Sequence, residues 1–177
     1  MLEQAAPDFS DPIGLLETCH RRIQDKAGVL RKMCAYQERH GVDRELISAA
    51  QGLMRYFDIA APQHHADEEQ DLFPALASLA ELQPLLRRLA SEHAQHDALW
   101  HTLRRDLEQI RGGTPCRQLR EHSEPFIRTH LTHIAIENER ILPCARELLH
   151  AQVLMQIGDS MARRRQQAGY SSSSRIR

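Results

Sequence analysis

Two copies of one short pattern, His-x-x-x-Glu followed by a proline, carry the residue types best suited to chemistry in this sequence. The first copy is His64, Glu68 and Pro74, and the second is His133, Glu137 and Pro143. Residues four apart on an α-helix share a face, so each copy directs an imidazole and a carboxylate toward one point. Two surface His–Glu pairs would not explain the repeated offset to a proline. Because four-helix bundles hold dinuclear sites with such ligands, the pattern predicts metal binding.

The composition fits one small cytoplasmic domain. A chain of 177 residues can form one core of normal size, and its net charge of −1 does not favour nucleic acid. It contains no apolar run of membrane-spanning length, and its first residues lack the features of a signal peptide. The four cysteines have no C-x-x-C spacing, so we expect reduced thiols in the cytoplasm.

Apolar residues recur at helical spacing along the whole chain, which predicts an all-α fold. We expect an up-down-up-down four-helix bundle over residues 11–150, an N-terminal extension over 1–10, a short C-terminal helix over 151–165 and a disordered tail over 166–177. Pro62 predicts a kink or a restart in the second helix, and Pro125 the start of the fourth. The last helix carries an apolar stripe that either packs across the bundle or joins two chains, so the oligomeric state stays open.

The spacing of four histidines tests the bundle. With short turns, residues at one height must be symmetric about each turn. The midpoint of His20 and His64 lies beside Gly41, and that of His93 and His133 is Gly113. The midpoint of His64 and His93 falls near residue 78, in the expected second turn. The four histidines should therefore meet at one level, with Glu68 and Glu137 one turn nearer the end of the bundle.

Two further histidines predict a second polar layer. His96 follows His93 by three residues and His130 precedes His133 by three, so on antiparallel helices both lie one turn deeper in the bundle. Buried imidazoles need partners, and contacts of this kind orient metal ligands. Two alternatives stay open at this point: His96 as a fifth histidine ligand, or both residues as ordinary histidines at the edge of the core.

These motifs resemble the hemerythrin-like, or HHE cation-binding, proteins. The resemblance covers residues 11–150 and rests on Cys19-His20-Arg21-Arg22, the segment His64–Pro74, Ser91-Glu92-His93 and the segment His133–Glu139. It implies a four-helix bundle around two non-haem iron ions that two glutamates bridge. Carried over by position, the ligands are His20, His64, Glu68, His93, His133 and Glu137. His65 with Glu69 is an alternative register, which the second copy does not support because residue 134 is isoleucine.

The chain departs from the oxygen-carrying hemerythrins at two positions. Carriers have a second histidine four residues after the one that matches His93, where this chain has Asp97, and their last motif places an aspartate five residues after its histidine, where this chain has Glu137 after four. The remaining ligands leave open coordination positions, which favours iron that binds a small diatomic, O2 or NO, although manganese and zinc suit the same donors.

Three classes of function remain open from the sequence. The first is a di-iron protein that binds or senses O2 or NO, or handles iron. The second is a di-iron enzyme, such as an NO reductase or a peroxidase or oxidase. Bacterial relatives are also connected with the repair of iron centres, but commonly through an additional N-terminal cysteine-bearing domain, which we do not expect in this chain. The third is a structural bundle that binds adventitious metal. Whether the chain is an enzyme is left undecided.

Overall fold

The computed structural model describes the backbone of residues 8–173 and the side chains of residues 8–167. Within this range the chain is helical and contains no strand. The helices are α1 (Pro12–His40), α2 (Arg44–Asp67), α3 (Phe73–Leu76), α4 (Gln83–Arg111), α5 (Leu119–Ile136), α6 (Leu142–Leu148) and α7 (Ala151–Ser173). The first seven residues of the expected N-terminal extension lie outside the described residues.

Four long helices form the expected bundle. Helix α1 packs against α2 and α5, and α4 packs against the same two helices, so the four enclose a common core. Asp11 and Asp43 cap α1 and α2 by accepting the backbone N–H of Gly14 and Leu46. Gly41 and Gly113 follow α1 and α4 with positive φ angles that favour glycine. The all-α bundle with an additional C-terminal helix is confirmed.

Each copy of the repeated motif contains a π turn that sequence reasoning did not anticipate. Residues Glu68–Leu72 form a π turn between α2 and α3, and Glu137–Ile141 form the same turn between α5 and α6. Pro74 and Pro143 each follow two residues after the turn, where a missing N–H suits an interruption of regular helical bonding. Both turns begin at the glutamate of the motif, and π turns are common at functional sites.

The structure corrects two expectations about prolines. Helix α2 runs through Pro62 without the restart that was one of the two outcomes expected there, and the kink stays a prediction. Pro62 faces solvent, so the carbonyl group that loses its partner can bind water. Helix α5 begins at Leu119 and not at Pro125. Leu119 and Ser123 are buried one turn apart, so the inward-facing side of α5 starts before the proline. The apolar pattern did not predict this earlier start, because Ser123 is polar although it faces the core.

Helix α7 extends to Ser173, beyond the end expected at residue 165, so the tail expected to be disordered is helical as far as the structure describes it. The segment from Ala162 to Gln167 consists of strong helix formers, and nothing in it ends a helix. Residues 174–177 lie outside the described residues.

Helix α7 packs against α1 and α2 of its own bundle. Ile157 and Met161 are buried in the core and Leu154 packs against it, which selects the first of the two expectations for this stripe. Gly158 lies against the backbone of Phe9, where a Cβ atom would clash with the Phe9 carbonyl group. The described helices do not combine the length and apolar character that a membrane span requires.

A buried polar layer divides the apolar core into two clusters. On α1, Ile13 and Leu16 belong to one cluster and Ile23 and Ala27 to the other, with His20 between them. The clusters continue across the other helices at both sides of the same layer. Apolar packing on both sides excludes water from the layer and fixes the backbone that carries its side chains.

Candidate metal centre

The six residues that the family resemblance suggested as ligands come together in this layer. The four histidines come from α1, α2, α4 and α5, and the two glutamates from the first residue of each π turn. All six side chains are at least nine-tenths buried; they are His20, His64, Glu68, His93, His133 and Glu137. Charged groups are rarely buried so completely without a partner of opposite charge.

The Glu68 carboxylate lies between two pairs of histidines. Its Oε1 atom is 3.3 Å from Nε2 of His64 and 3.5 Å from Nε2 of His20. Its Oε2 atom is 3.3 Å from Nε2 of His93. One oxygen atom therefore faces each pair.

Glu137 has the same position in the second copy of the motif. Its Oε1 atom lies 3.1 Å from Nε2 of His133, and its Oε2 atom lies 3.2 Å from Nε2 of His20. The donor atoms form two groups of four that share both glutamates, and within each group they lie within 4.8 Å of one another. His20 and His64 complete one group, and His93 and His133 complete the other.

The outer ring nitrogens fix the tautomers of three of these histidines. The Nδ1 atoms lie 2.6–2.9 Å from side-chain oxygens that accept their protons: Asn138 for His20, Glu69 for His93 and Glu92 for His133. A neutral imidazole that donates from Nδ1 has a lone pair on Nε2. These contacts therefore direct Nε2 lone pairs toward the centre, as in most histidine–metal sites.

The donor atoms fit metal ions and do not satisfy one another. All four carboxylate oxygens of Glu68 and Glu137 are buried without an aligned hydrogen bond, as is Nε2 of His20. The Nε2 atoms of His93 and His133 lie only 3.1 Å apart, although Nδ1 of each already carries a proton for its own acceptor. Buried lone pairs at this distance need a proton or a metal ion between them. Nitrogen and oxygen donors without thiolate suit iron, manganese or zinc.

In the absence of metal, protons on the imidazoles compensate part of the negative charge of the buried carboxylates. Burial lowers the pKa of His20, but the carboxylates of Glu137 and Glu68 outweigh it and raise this pKa to about 10. Burial likewise lowers the pKa of His93, and Glu68 and Glu69 raise it to about 9. Burial raises the pKa of Glu68, yet the neighbouring histidines hold it well below its usual range. Metal ions would have to displace these imidazole protons.

His96 and His130 lie next to this centre, on the side at which the sequence placed a second polar layer. Both are buried, and their rings stack at a centroid distance of 3.9 Å. The His96 ring contacts His133 at 4.9 Å, and Nδ1 of His130 donates to the Phe126 carbonyl group at 2.9 Å. Burial lowers the pKa of His96 to about 2 and that of His130 to about 4, so both are neutral.

The alternative register is not the arrangement that the structure shows. His65 lies outside both groups of donors, and its ring stacks on that of His93 at 4.0 Å. Glu69 is half-exposed and accepts a hydrogen bond from Nδ1 of His93. Both residues therefore contact His93, Glu69 at its outer nitrogen and His65 at the face of its ring, and neither belongs to the two groups of donor atoms.

Sequence reasoning missed the acceptors Glu69, Glu92 and Asn138. Each of these residues is adjacent in sequence to a motif glutamate or a motif histidine, and this adjacency is the signal that could have identified them. It does not identify their partners, which lie on other helices. The remaining histidines, expected on the surface, are exposed at positions 40, 101 and 150. His122 is half-buried instead, and its ring bonds to Asp106 at 2.6 Å.

Comparison with known proteins agrees with this geometry. The model of the hemerythrin HHE cation-binding domain family matches residues 11–145. The chain belongs to this family. The hemerythrin-like chain is also similar to an uncharacterised protein of Haemophilus influenzae, with 31% identity over 159 residues that cover 89% of this chain and 92% of that protein.

Proposed function

We propose that this hemerythrin-like chain is a non-haem di-iron protein whose open coordination positions bind O2 or NO. The observation that carries the proposal is the position of Glu68 and Glu137. Each turns one oxygen atom toward each pair of histidines, which is the arrangement of a carboxylate that bridges two ions.

Each group offers four donor atoms, two imidazole nitrogens and one oxygen from each shared glutamate. Four donors would close a tetrahedral zinc site, whereas an ion that takes six ligands would retain positions for other ligands. Open positions therefore require a metal other than tetrahedral zinc, and we propose iron. When bound, iron supplies the redox change and the affinity for diatomic molecules that this function needs.

The chain itself performs the remaining tasks. The outer acceptors hold the imidazoles in one tautomer, and the two apolar clusters limit access of water to the centre. The two buried carboxylates compensate part of the positive charge of the ions. The ligands are thus positioned before a metal binds.

Metal analysis of the tag-free protein tests the proposal. After anaerobic loading with ferrous iron and removal of excess metal, we expect two irons per chain. Anaerobic addition of O2 or NO to this protein should change its electronic spectrum, with saturation at a fixed ratio to protein. Less than one tightly bound iron per chain would contradict the di-iron assignment, and an unchanged spectrum would contradict diatomic binding. Accumulation of reduced nitrogen oxides over many turnovers of NO would show an enzyme in place of a binding protein.

A further inference from the structure

A second group of histidines lies beside the dinuclear centre and shares no residue with it. It consists of His65 from α2, His96 from α4 and His130 from α5. One ring nitrogen of each lies within 4.8 Å of the others. Four-helix bundles bring inward-facing residues of different helices together in this way, and three imidazoles form a common ligand set for divalent ions.

The hydrogen bonds around this group leave donor atoms free. His96 has 2% of its surface exposed, and neither of its ring nitrogens makes an aligned hydrogen bond with the described residues, although a backbone contact with Thr129 counteracts the lowering of its pKa. Nδ1 of His130 donates to the Phe126 carbonyl group, so its Nε2 atom keeps a lone pair. Completely buried imidazoles seldom remain without a partner, which indicates that a ligand is needed at His96.

A cavity connects the group with solvent. It has a volume of about 440 Å³, and its lining includes all three histidines, Asp97 and Trp100. The exposed Asp97 carboxylate lies 4.0 Å from Nδ1 of His65 and adds negative charge beside the opening. The ligands proposed for the dinuclear centre do not line this cavity. A cation from solvent therefore has a route to these three histidines that does not pass the dinuclear centre.

We propose that His65, His96 and His130 form a third, mononuclear site for a divalent cation of the zinc type. The three imidazoles supply the protein ligands once the His96 ring, which makes no aligned hydrogen bond, turns out of its stack with His130. Water from the cavity completes the coordination. Zinc accepts three protein ligands and a solvent molecule in open sites. The site is separate from the dinuclear centre in its ligands, although the rings of His65 and His93 stack on each other.

Titration of the full-length metal-free chain with Co²⁺ tests the third site, because Co²⁺ substitutes for zinc and its visible spectrum reports coordination. We expect the wild type to bind three Co²⁺ per chain and His96→Leu to bind two. His130→Leu should lose the same equivalent. His101→Leu is the matched control, since His101 lines the same cavity but lies outside the group, and it should retain all three.

Two equivalents in the wild type, or a third equivalent that persists in His96→Leu, would overturn the proposal. Binding of two equivalents by the wild type and one by His96→Leu would also overturn it, because His96 would then be a ligand of the dinuclear centre. Circular dichroism identifies variants that do not fold. If the leucine variants do not fold, His65→Gln replaces them, because His65 is less buried than His96, and it should also lose the third Co²⁺ equivalent. Glu137→Ala should retain at most one of the dinuclear ions and keep the third site, which separates failure of this site from failure of the di-iron proposal.

Discussion

Glu69 and Asn138 occupy equivalent positions in the two copies of the motif, each directly after the glutamate that faces both pairs of histidines. Glu69 accepts the Nδ1 proton of His93 at 2.6 Å, and Asn138 accepts that of His20 at 2.7 Å. The two hydrogen bonds have the same geometry, but Glu69 carries a negative charge and Asn138 is neutral. An imidazole that donates its Nδ1 proton to a carboxylate is a stronger metal ligand than one that donates it to a neutral amide.

This difference predicts that the two metal positions have unequal affinity. Next to the His93/His133 pair lie two more carboxylates, Glu69 and Glu92, whereas Nδ1 of His64 has no hydrogen-bond partner among the described residues. We expect stepwise binding, with the first ion at the His93/His133 pair. The double variant Glu69→Gln/Glu92→Gln should weaken that step about 10–100-fold, the usual effect of removing such contacts.

Competition with a chelator of known affinity measures both binding constants. Glu139→Gln is the control, because Glu139 is exposed and has the same charge. Asn138→Asp should strengthen the second step. Two equal constants in the wild type would disprove the predicted asymmetry.

Replacing Glu137 by alanine should abolish dinuclear binding and leave the helical fold. The side chain is 1% exposed and contributes an oxygen to both groups of donors, so its loss affects both ions. Elemental analysis after dialysis should show a drop from two irons to at most about one, with an unchanged far-ultraviolet circular dichroism spectrum. Glu139→Ala should retain two. A Glu137→Ala protein with normal occupancy would refute the assignment.

Metal binding should release protons and tighten as the pH rises. In the absence of metal, the raised pKa values of His20 and His93, about 10 and about 9, keep both imidazoles protonated at pH 7. A ligand imidazole must lose its Nε2 proton, so binding at pH 7 should release at least about two protons per chain, since, despite burial, Glu137 also raises the pKa of His133. A pH indicator in weakly buffered solution measures this release, and a release near zero would contradict the pKa directions.

The same two groups predict the pH dependence of the metal-free fold. Because their folded pKa values exceed the unfolded value of about 6.5, their contribution to stability is complete below that pH. It is lost as the pH rises through about 9 and 10. Urea unfolding in the presence of a chelator should show lower stability at pH 10 than at pH 7, and equal stability at both would count against this assignment.

Asp67 should hold α7 against the bundle. Its fully buried carboxylate binds Arg164 and also Arg165, whose Nη2 atom lies 2.5 Å away. Removal of a buried partner is costly, but both arginines are partly exposed, so Asp67→Ala should lower the free energy of unfolding by about 1–3 kcal/mol. Urea unfolding of the metal-free protein checks this, with the exposed Arg163→Ala as control. A difference within error of that control would show that apolar packing alone holds the helix.

The sequence by itself determined the four-helix architecture and the register of the central layer. Apolar spacing defines each helix, and short turns force residues at mirrored distances from a turn to the same height. For this reason the spacing of His20, His64, His93 and His133 along the chain is sufficient to place them at one level. The same spacing placed two of the turns at or beside Gly41 and Gly113.

Tertiary structure decided which groups meet across helices. Each oxygen atom that accepts an Nδ1 proton comes from a different part of the fold than the histidine that donates the proton. Asn138 lies 118 residues from His20 in the sequence, and helical periodicity does not predict such a pair. The start of α5 before Pro125 depends on burial of the polar Ser123, and the length and position of α7 depend on apolar packing and on Asp67. Local patterns specify backbone conformation and the inward face of a helix, whereas partners of polar atoms depend on the packed arrangement of all the helices.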